Sequence, residues 1–97
     1  MTRDEIIAKL KEAAPLLRTE GVPRLAIFGS RARGDAREDS DLDVLIDVND
    51  MKFSGLNLSG VGLICERLTG LQTQVSMRRA LDARMAERIA DDLIDVF

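Results

Sequence analysis

Two acidic side chains separated by one residue, Asp41 and Asp43, are the part of the sequence best suited to chemistry. They open the segment 41–48, in which apolar residues alternate with others, as in a strand with one packed face. Both aspartates then share the opposite face, with Cα atoms roughly 6–7 Å apart. Because like charges on one strand face repel each other, water or a metal ion must offset the repulsion. Carboxylate oxygens suit Mg²⁺, so this pair supplies the candidate metal ligands and catalytic residues.

A candidate phosphate site comes shortly before that pair, at Gly29 and Ser30. Glycine lets the backbone approach an anion closely, and Ser30 adds a hydroxyl and the free N–H groups of any helical turn that follows. Arg31 and Arg33 add positive charge that can pair with phosphate oxygens. Protein-bound Mg²⁺ usually completes its shell with water and phosphate oxygens. Together, the two groups therefore predict a site for a metal-bound nucleoside triphosphate.

Each of these motifs has a plainer interpretation when taken alone. An Asp-x-Asp pair is most often a solvated strand face, and Gly-Ser is common in ordinary turns. Arg33-Gly34-Asp35 is interpreted as an exposed turn. The order of the motifs, with a candidate strand on both sides, is what favours the functional interpretation.

The elements that would position these residues follow from hydrophobic periodicity and capping signals. Helices are predicted over 3–19, 56–68 and from 83 onwards, the last capped by Asp82 and carrying Met85, Ile89, Leu93 and Phe97 on one stripe. Strands are predicted over 25–28, 41–48 and 73–77. This order predicts an α/β (α+β) fold in one domain spanning 1–97, with three or more strands flanked by helices. Leu56, Leu58 and Val61 are the candidates for an apolar patch that a partner covers.

Composition excludes several classes of function. The net charge of −3, from 17 acidic and 14 basic residues, gives no general basic field, so direct nucleic-acid binding is not expected. The absence of histidine removes His-based triads and most zinc sites. The single cysteine, Cys65, cannot form an internal disulfide and is interpreted as a small core residue. With a charged N-terminal segment and no long apolar stretch, a cytoplasmic protein without a membrane span is expected.

The segment from Gly29 to Asp43 resembles the signature of the DNA polymerase β-type nucleotidyltransferases, with Gly29-Ser30 in one half and Asp41-x-Asp43 in the other. Within that superfamily the chain is similar to the minimal nucleotidyltransferase (MNT) domains, small antitoxin-like subunits that partner all-helical HEPN proteins. Chain length and element order extend the resemblance over nearly the whole sequence.

The resemblance implies a mixed sheet with Gly29 and Ser30 on the triphosphate and with Asp41 and Asp43 on Mg²⁺. It also implies transfer of AMP from ATP to a hydroxyl, with tyrosine as the expected acceptor, on a HEPN-type partner toxin. Because the chain has no second domain to complete a cleft, a partner or a second copy is expected, in a hetero-oligomer or a homo-oligomer.

One position departs from the pattern of the family, which places a third carboxylate on a later strand. The matching residue, placed by the run into Arg79-Ala80-Leu81, is Gln74, whose amide is uncharged and a poor base. Neither Asp47 nor Glu66 is an obvious replacement. Three interpretations stay open: an active nucleotidyltransferase, an antitoxin that binds its partner with little catalysis, and a structural subunit with a solvated acidic strand.

Overall fold

The structure, a computed structural model, describes residues 1–97 and is built from five α-helices and four strands. In chain order the elements are α1 (Arg3–Lys11), α2 (Ala14–Thr19), β1 (Arg24–Phe28), α3 (Gly29–Arg33), β2 (Leu42–Asp47), α4 (Gly55–Thr69), β3 (Thr73–Met77), a 3₁₀ turn (Arg78–Ala80), α5 (Ala83–Ala90) and β4 (Ile94–Asp95). The predicted α/β class, with three or more strands flanked by helices, is confirmed.

The four strands form one mixed sheet in the order β3-β2-β1-β4. Strand β1 is antiparallel to β2 and to β4, whereas β2 and β3 are parallel and are joined by the crossover through α4. The strand predicted over 25–28 forms as β1 and is central and buried, with Leu25, Ala26 and Ile27 each at most 1% exposed. The sheet therefore places β2 and its aspartates between two other strands.

The core lies on the face of the sheet that receives Leu42, Val44 and Ile46 of β2, all fully buried. Helix α1 begins with a capping box formed by Thr2 and Glu5 and contributes buried residues to the same cluster. Helix α4 matches its predicted bounds within one residue and ends at Gly70, whose φ of +73° gives the left-handed cap. Alternation along β2 thus directs Leu42, Val44 and Ile46 inward and leaves Asp43 outside this core.

The single helix predicted over 3–19 is wrong, since the chain forms α1 and α2 with a break at 12–13. Pro15 lies in the first turn of α2. A proline has no N–H to donate to the preceding turn, and its ring clashes with that turn, so the first helix ends and a second begins.

The prediction for the last helix is also partly wrong. Asp82 caps α5 as expected, its side chain accepting from the Met85 N–H at 2.7 Å, but the helix ends at Ala90. Leu93 and Phe97 lie beyond it, on either side of the two-residue strand β4, which the sequence analysis did not predict. The Val96 N–H donates to the Leu25 carbonyl at 2.8 Å, so the free edge of β1 draws this segment into the sheet.

Two further predictions concern surface and core. In the proposed apolar patch Leu56 is 86% exposed, but Val61 is buried at 3%, so the patch does not form as predicted. Cys65 is fully buried in the core, as expected. None of the helices combines the length and the apolar character needed to cross a membrane.

Candidate metal and phosphate site

Asp41 and Asp43 lie at the start of β2, where three strands come together. In the sheet register Asp43 is paired with Phe28 at the end of β1 on one side and with Gln74 of β3 on the other. Helix α3 starts immediately after Phe28, at Gly29. The pairing of β1 with β2 therefore brings the two halves of the motif, which are more than ten residues apart in sequence, to one point.

The backbone of Gly29 lies against the Asp43 carboxylate. A methyl group at Gly29 would overlap Oδ2 of Asp43 and would lie 3.4 Å from its Cγ. The φ of Gly29 is +75°, a left-handed conformation that side-chain-bearing residues rarely adopt. Both the space and the backbone therefore require glycine where the carboxylate meets the start of α3.

The electrostatics of the pair fit a bound cation. Partial burial raises the pKa of Asp43, the negative charge of Asp41 raises it further, and the Arg33 guanidinium acts in the opposite direction. The chain contains no group of three or more acidic, cysteine or histidine side chains placed to hold a metal ion. A partly buried carboxylate with a second carboxylate beside it is a suitable oxygen donor set for Mg²⁺, which takes its remaining ligands from water and phosphate.

Arg31, which the sequence assigned to phosphate, contacts the protein instead. Only 8% exposed, it donates from Nη2 to the carbonyls of Ser40 and Glu38 at 2.9 and 3.2 Å, and from Nε to Ser40 at 3.3 Å. These bonds hold the segment that leads into Asp41. Arg31 therefore positions the acidic strand, and the structure does not direct its guanidinium towards an open phosphate site.

Arg33 is half-exposed and forms two ion pairs. Its Nε contacts Asp35 at 3.1 Å and its Nη1 contacts Asp92 at 2.7 Å. The hydrogen-bonded Asp35 carboxylate raises the pKa of the Arg33 guanidinium most, and the Asp92 carboxylate raises it further. Asp92, 59 residues away, was not foreseen as a neighbour of the site, because no local pattern in the sequence indicates that pairing.

Gln74 lies next to the acidic pair, at the place that the sequence pattern assigned to it. Its Nε2 donates to Oδ2 of Asp41 at 3.1 Å. The other candidate acids are engaged elsewhere: Asp47 pairs with Arg78 at 2.7 Å, and Oε2 of Glu66 accepts from the Thr73 N–H at 3.0 Å. The third position near Asp41 and Asp43 is thus filled by an amide that is hydrogen-bonded to one of them.

A small polar pocket of about 220 Å³ opens beside this amide, and it is lined by Asp41, Glu66, Gln72, Thr73 and Gln74. The Ser30 hydroxyl makes no hydrogen bond within the chain, whereas its carbonyl accepts from the N–H groups of Gly34 and Asp35 and closes the turn after α3. The sequence does not indicate Glu66 as a neighbour of the acidic pair, and its tertiary contact with Thr73 is what places it at this pocket.

Known proteins with the same sequence pattern and fold have nucleotidyl transfer in common. The profile of the nucleotidyltransferase domain family matches residues 4–96. Protein adenylyltransferase MntA of Thermococcus cleftensis is 32% identical over 97 residues, covering 99% of this chain and 97% of that protein. A solved structure described as "putative minimal nucleotidyltransferase" is 34% identical with a TM-score of 0.79, covering 97% of this chain and 95% of the other.

The fold also matches a more distant solved complex. A chain from the complex of a tri-AMPylated HEPN toxin of Shewanella oneidensis with its MNT antitoxin has a TM-score of 0.70. It is 11% identical, and the match covers 99% of this chain and 72% of the other. At that identity the likeness concerns the fold.

Proposed function

The chain belongs to the nucleotidyltransferase domain family, and we propose that it is an antitoxin that transfers AMP from Mg²⁺–ATP to a hydroxyl of a HEPN-type partner toxin. The observation that carries the proposal is the contact between the Gly29 backbone and the Asp43 carboxylate, which joins the candidate phosphate site to the candidate metal site. The names of MntA of Thermococcus cleftensis and of the Shewanella complex support the reaction and the partner class. A tyrosine acceptor and a cytoplasmic location stay predictions.

Each residue of the site has a distinct role in this proposal. Asp41 and Asp43 hold Mg²⁺, Gly29 and Ser30 contact the triphosphate, and Arg33 contributes positive charge. Arg31 is a positioning residue, because its guanidinium already binds the carbonyls that precede Asp41. When bound, the metal ion supplies positive charge that stabilises the transferring phosphoryl group.

The reaction forms one bond and breaks another. The acceptor oxygen bonds to the α-phosphorus of ATP, the bond from that phosphorus to the bridging oxygen breaks, and pyrophosphate leaves. The proton of the acceptor hydroxyl must pass to a base, and an amide at position 74 is poorly suited to take it.

The decisive experiment mixes the purified chain with α-labelled ATP, Mg²⁺ and a purified HEPN-type toxin. Label should pass to the toxin only with Mg²⁺ present. The double substitution Asp41→Asn, Asp43→Asn should abolish transfer and Mg²⁺-dependent ATP binding measured by calorimetry. Asp47→Asn is the matched control. It removes an acidic side chain from the same strand, but this side chain pairs with Arg78 and does not belong to the candidate site. An unchanged ATP affinity in the double variant would overturn the assignment of the site.

A second candidate function is an antitoxin that neutralises its partner by binding, with little catalysis. Gln74 favours this second function. Its amide replaces an acid of the family pattern, and it donates a hydrogen bond to Oδ2 of Asp41. Losing a general base lowers a rate by roughly 10²–10⁴-fold. Gln74→Asp should therefore raise transfer by that order while leaving ATP affinity nearly unchanged.

Gln72→Asp is the control for added charge, since this side chain lines the same pocket and does not bond to Asp41. Fast transfer by the wild type, unaffected by Gln74→Asp, would show that another group is the base. If neither protein transfers AMP and both neutralise the toxin, the binding function is correct.

A further inference from the structure

The outer edge of β3 is the longest open edge of the sheet. Strand β3 is the last strand in the order β3-β2-β1-β4, and no strand of the chain lies on its far side. The opposite edge is formed by β4, which is only two residues long. An open edge presents unpaired N–H and C=O groups that can pair with another chain, and very short edges are protected from this.

Hydrogen bonds at the start of β3 show which residues face outward. The Leu42 N–H donates to the Gln72 carbonyl at 2.8 Å, so Gln72 points its backbone groups towards β2. The Thr73 N–H instead points away from β2 and donates to Glu66. Because this direction alternates along a strand, the backbone groups of Val75 and Met77 also face outward.

Apart from the Glu66 carboxylate, which binds the Thr73 N–H, this edge has none of the usual protection. Natural edge strands carry charged residues, prolines or bulges that discourage pairing, and the segment Thr73–Met77 reads TQVSM, which has none of the first two. Its five residues pair with β2 in unbroken register, so it has no bulge either. A groove of about 340 Å³ runs beside it, lined in part by Leu58, Leu63 and Val75, and Leu63 is 50% exposed.

Charges at the two ends of the edge select the orientation of a partner strand. Glu66 lies against the first residue, Thr73, and Arg78 follows the last residue, Met77. Arg78 bonds to Asp47 through Nε alone, so its two terminal nitrogens are free to bind a second carboxylate. A partner strand of the same sequence meets opposite charges at both ends only if it runs antiparallel.

We propose that β3 pairs antiparallel with β3 of a second copy, about a two-fold axis at Val75, so that two four-stranded sheets become one continuous sheet. Glu66 of each copy then faces Arg78 of the other. Leu63 of each α4 lies over the seam and covers the groove. This interface does not depend on the proposed enzymatic function.

The test of this interface is the monomer–dimer equilibrium of the full chain, measured by sedimentation equilibrium. Leu63→Glu places a charge at the seam and should weaken the dimer at least about tenfold, because the carboxylate has to be desolvated there. Leu16→Glu is the matched control: its leucine is 51% exposed on α2, away from the groove, so the dissociation constant should stay unchanged. Circular dichroism of both variants confirms that each is folded.

A second measurement resolves the pairing itself. Amide hydrogen exchange at Val75 should slow as protein concentration rises, while exchange at Gln74, already bonded within the sheet, should not change. A protein that is monomeric at every concentration would overturn the proposal, as would a dimer that Leu63→Glu leaves intact or that Leu16→Glu breaks. Protection of Val75 that is independent of concentration would also overturn it.

Discussion

At Gly29 the backbone and the neighbouring side chain impose two separate requirements. The φ of +75° disfavours any residue with a Cβ, and the Asp43 carboxylate fills the space that a Cβ would need. Gly70 has nearly the same φ, +73°, but a Cβ there would meet no atom within 4 Å. Comparing alanine substitutions at the two glycines therefore distinguishes the effect of backbone strain, which both share, from the effect of crowding at the site, which only Gly29 has.

We expect Gly29→Ala and Gly70→Ala to lower the free energy of unfolding by about 1–2 kcal/mol each through left-handed strain. Only Gly29→Ala should also abolish Mg²⁺-dependent ATP binding, because its methyl group displaces the Asp43 carboxylate. Urea denaturation and calorimetry measure the two effects. Equal ATP affinity in both variants would contradict a role for this contact in the site.

The ionised Asp43 side chain should lower the free energy of unfolding when no metal is bound. Its pKa is raised by burial and by Asp41, so the folded state holds the ionised form less favourably than the unfolded state does. Asp43→Asn should therefore raise the melting temperature at pH 7 without Mg²⁺. The gain should vanish below the ordinary aspartate pKa of about 4, where the wild-type carboxyl is protonated in both states.

Adding Mg²⁺ provides the internal control for this prediction. The ion should raise the melting temperature of the wild type and leave that of Asp43→Asn nearly unchanged, because binding to the folded state alone is stabilising. A variant that is less stable than the wild type at pH 7 in EDTA would show that the carboxylate has a structural partner.

At the scale of the elements, the sequence predicts what local periodicity and capping determine. Strand β2 and helices α1, α4 and α5 start where their alternation or caps place them, within about a turn. The spacing of Met85, Ile89, Leu93 and Phe97 is equally helical throughout, yet the helix ends at Ala90. Strand β4 forms because it pairs with β1, which lies far away in the sequence. No local pattern of residues indicates this pairing.

The candidate site divides in the same way. Asp41, Asp43 and Gly29 were predicted from their types and spacing, and the structure brings them together. Charge alone could not distinguish Arg31 from Arg33, since one is buried against carbonyl groups and the other pairs with carboxylates at the surface. Their difference depends on burial, which follows from tertiary packing.

Helix α4 carries a glycine that the fold does not use. A Cβ at Gly60 would meet no atom within 4 Å, and the residue lies inside the helix. Gly60→Ala should raise the free energy of unfolding by roughly 0.5–1 kcal/mol, because alanine loses less backbone entropy in a helix. Urea denaturation measures the change, and Gly70→Ala should have the opposite sign. A loss of stability in Gly60→Ala would indicate a contact outside the single chain.

For the whole molecule, one cluster of fifteen buried residues joins the helices to the sheet. Cys65 lies in it with no exposed surface, and burial, reinforced by the charge of Glu66, raises the pKa of its thiol to about 11. The thiol is therefore both inaccessible and protonated in the folded protein. Its reactivity reports on opening of the core.

We expect the Cys65 thiol to react with a disulfide reagent at pH 8 only as fast as the core opens. Leu10→Ala, which removes a fully buried side chain at a cost of about 2–5 kcal/mol, should accelerate the reaction strongly. A thiol introduced by Ser59→Cys on the exposed side of α4 should react at once and serves as the control. A rapid reaction of Cys65 that Leu10→Ala does not change would contradict a closed core.

The guanidinium of Arg31 anchors the segment that leads into Asp41. The position of Asp41 relative to Ser30 therefore does not depend on the length of the loop between them. The guanidinium holds the carbonyls of Glu38 and Ser40, and Ser40 also accepts from the Arg37 N–H at 2.8 Å, so the last part of the connection is fixed. Asp35 is held by Arg33 and by the Ser30 carbonyl, whereas the backbone of the next residue, Ala36, makes no hydrogen bond. Extra residues or a fluorescent label placed between Asp35 and Ala36 would lengthen the loop towards solvent, and the acidic pair would keep its place beside Gly29.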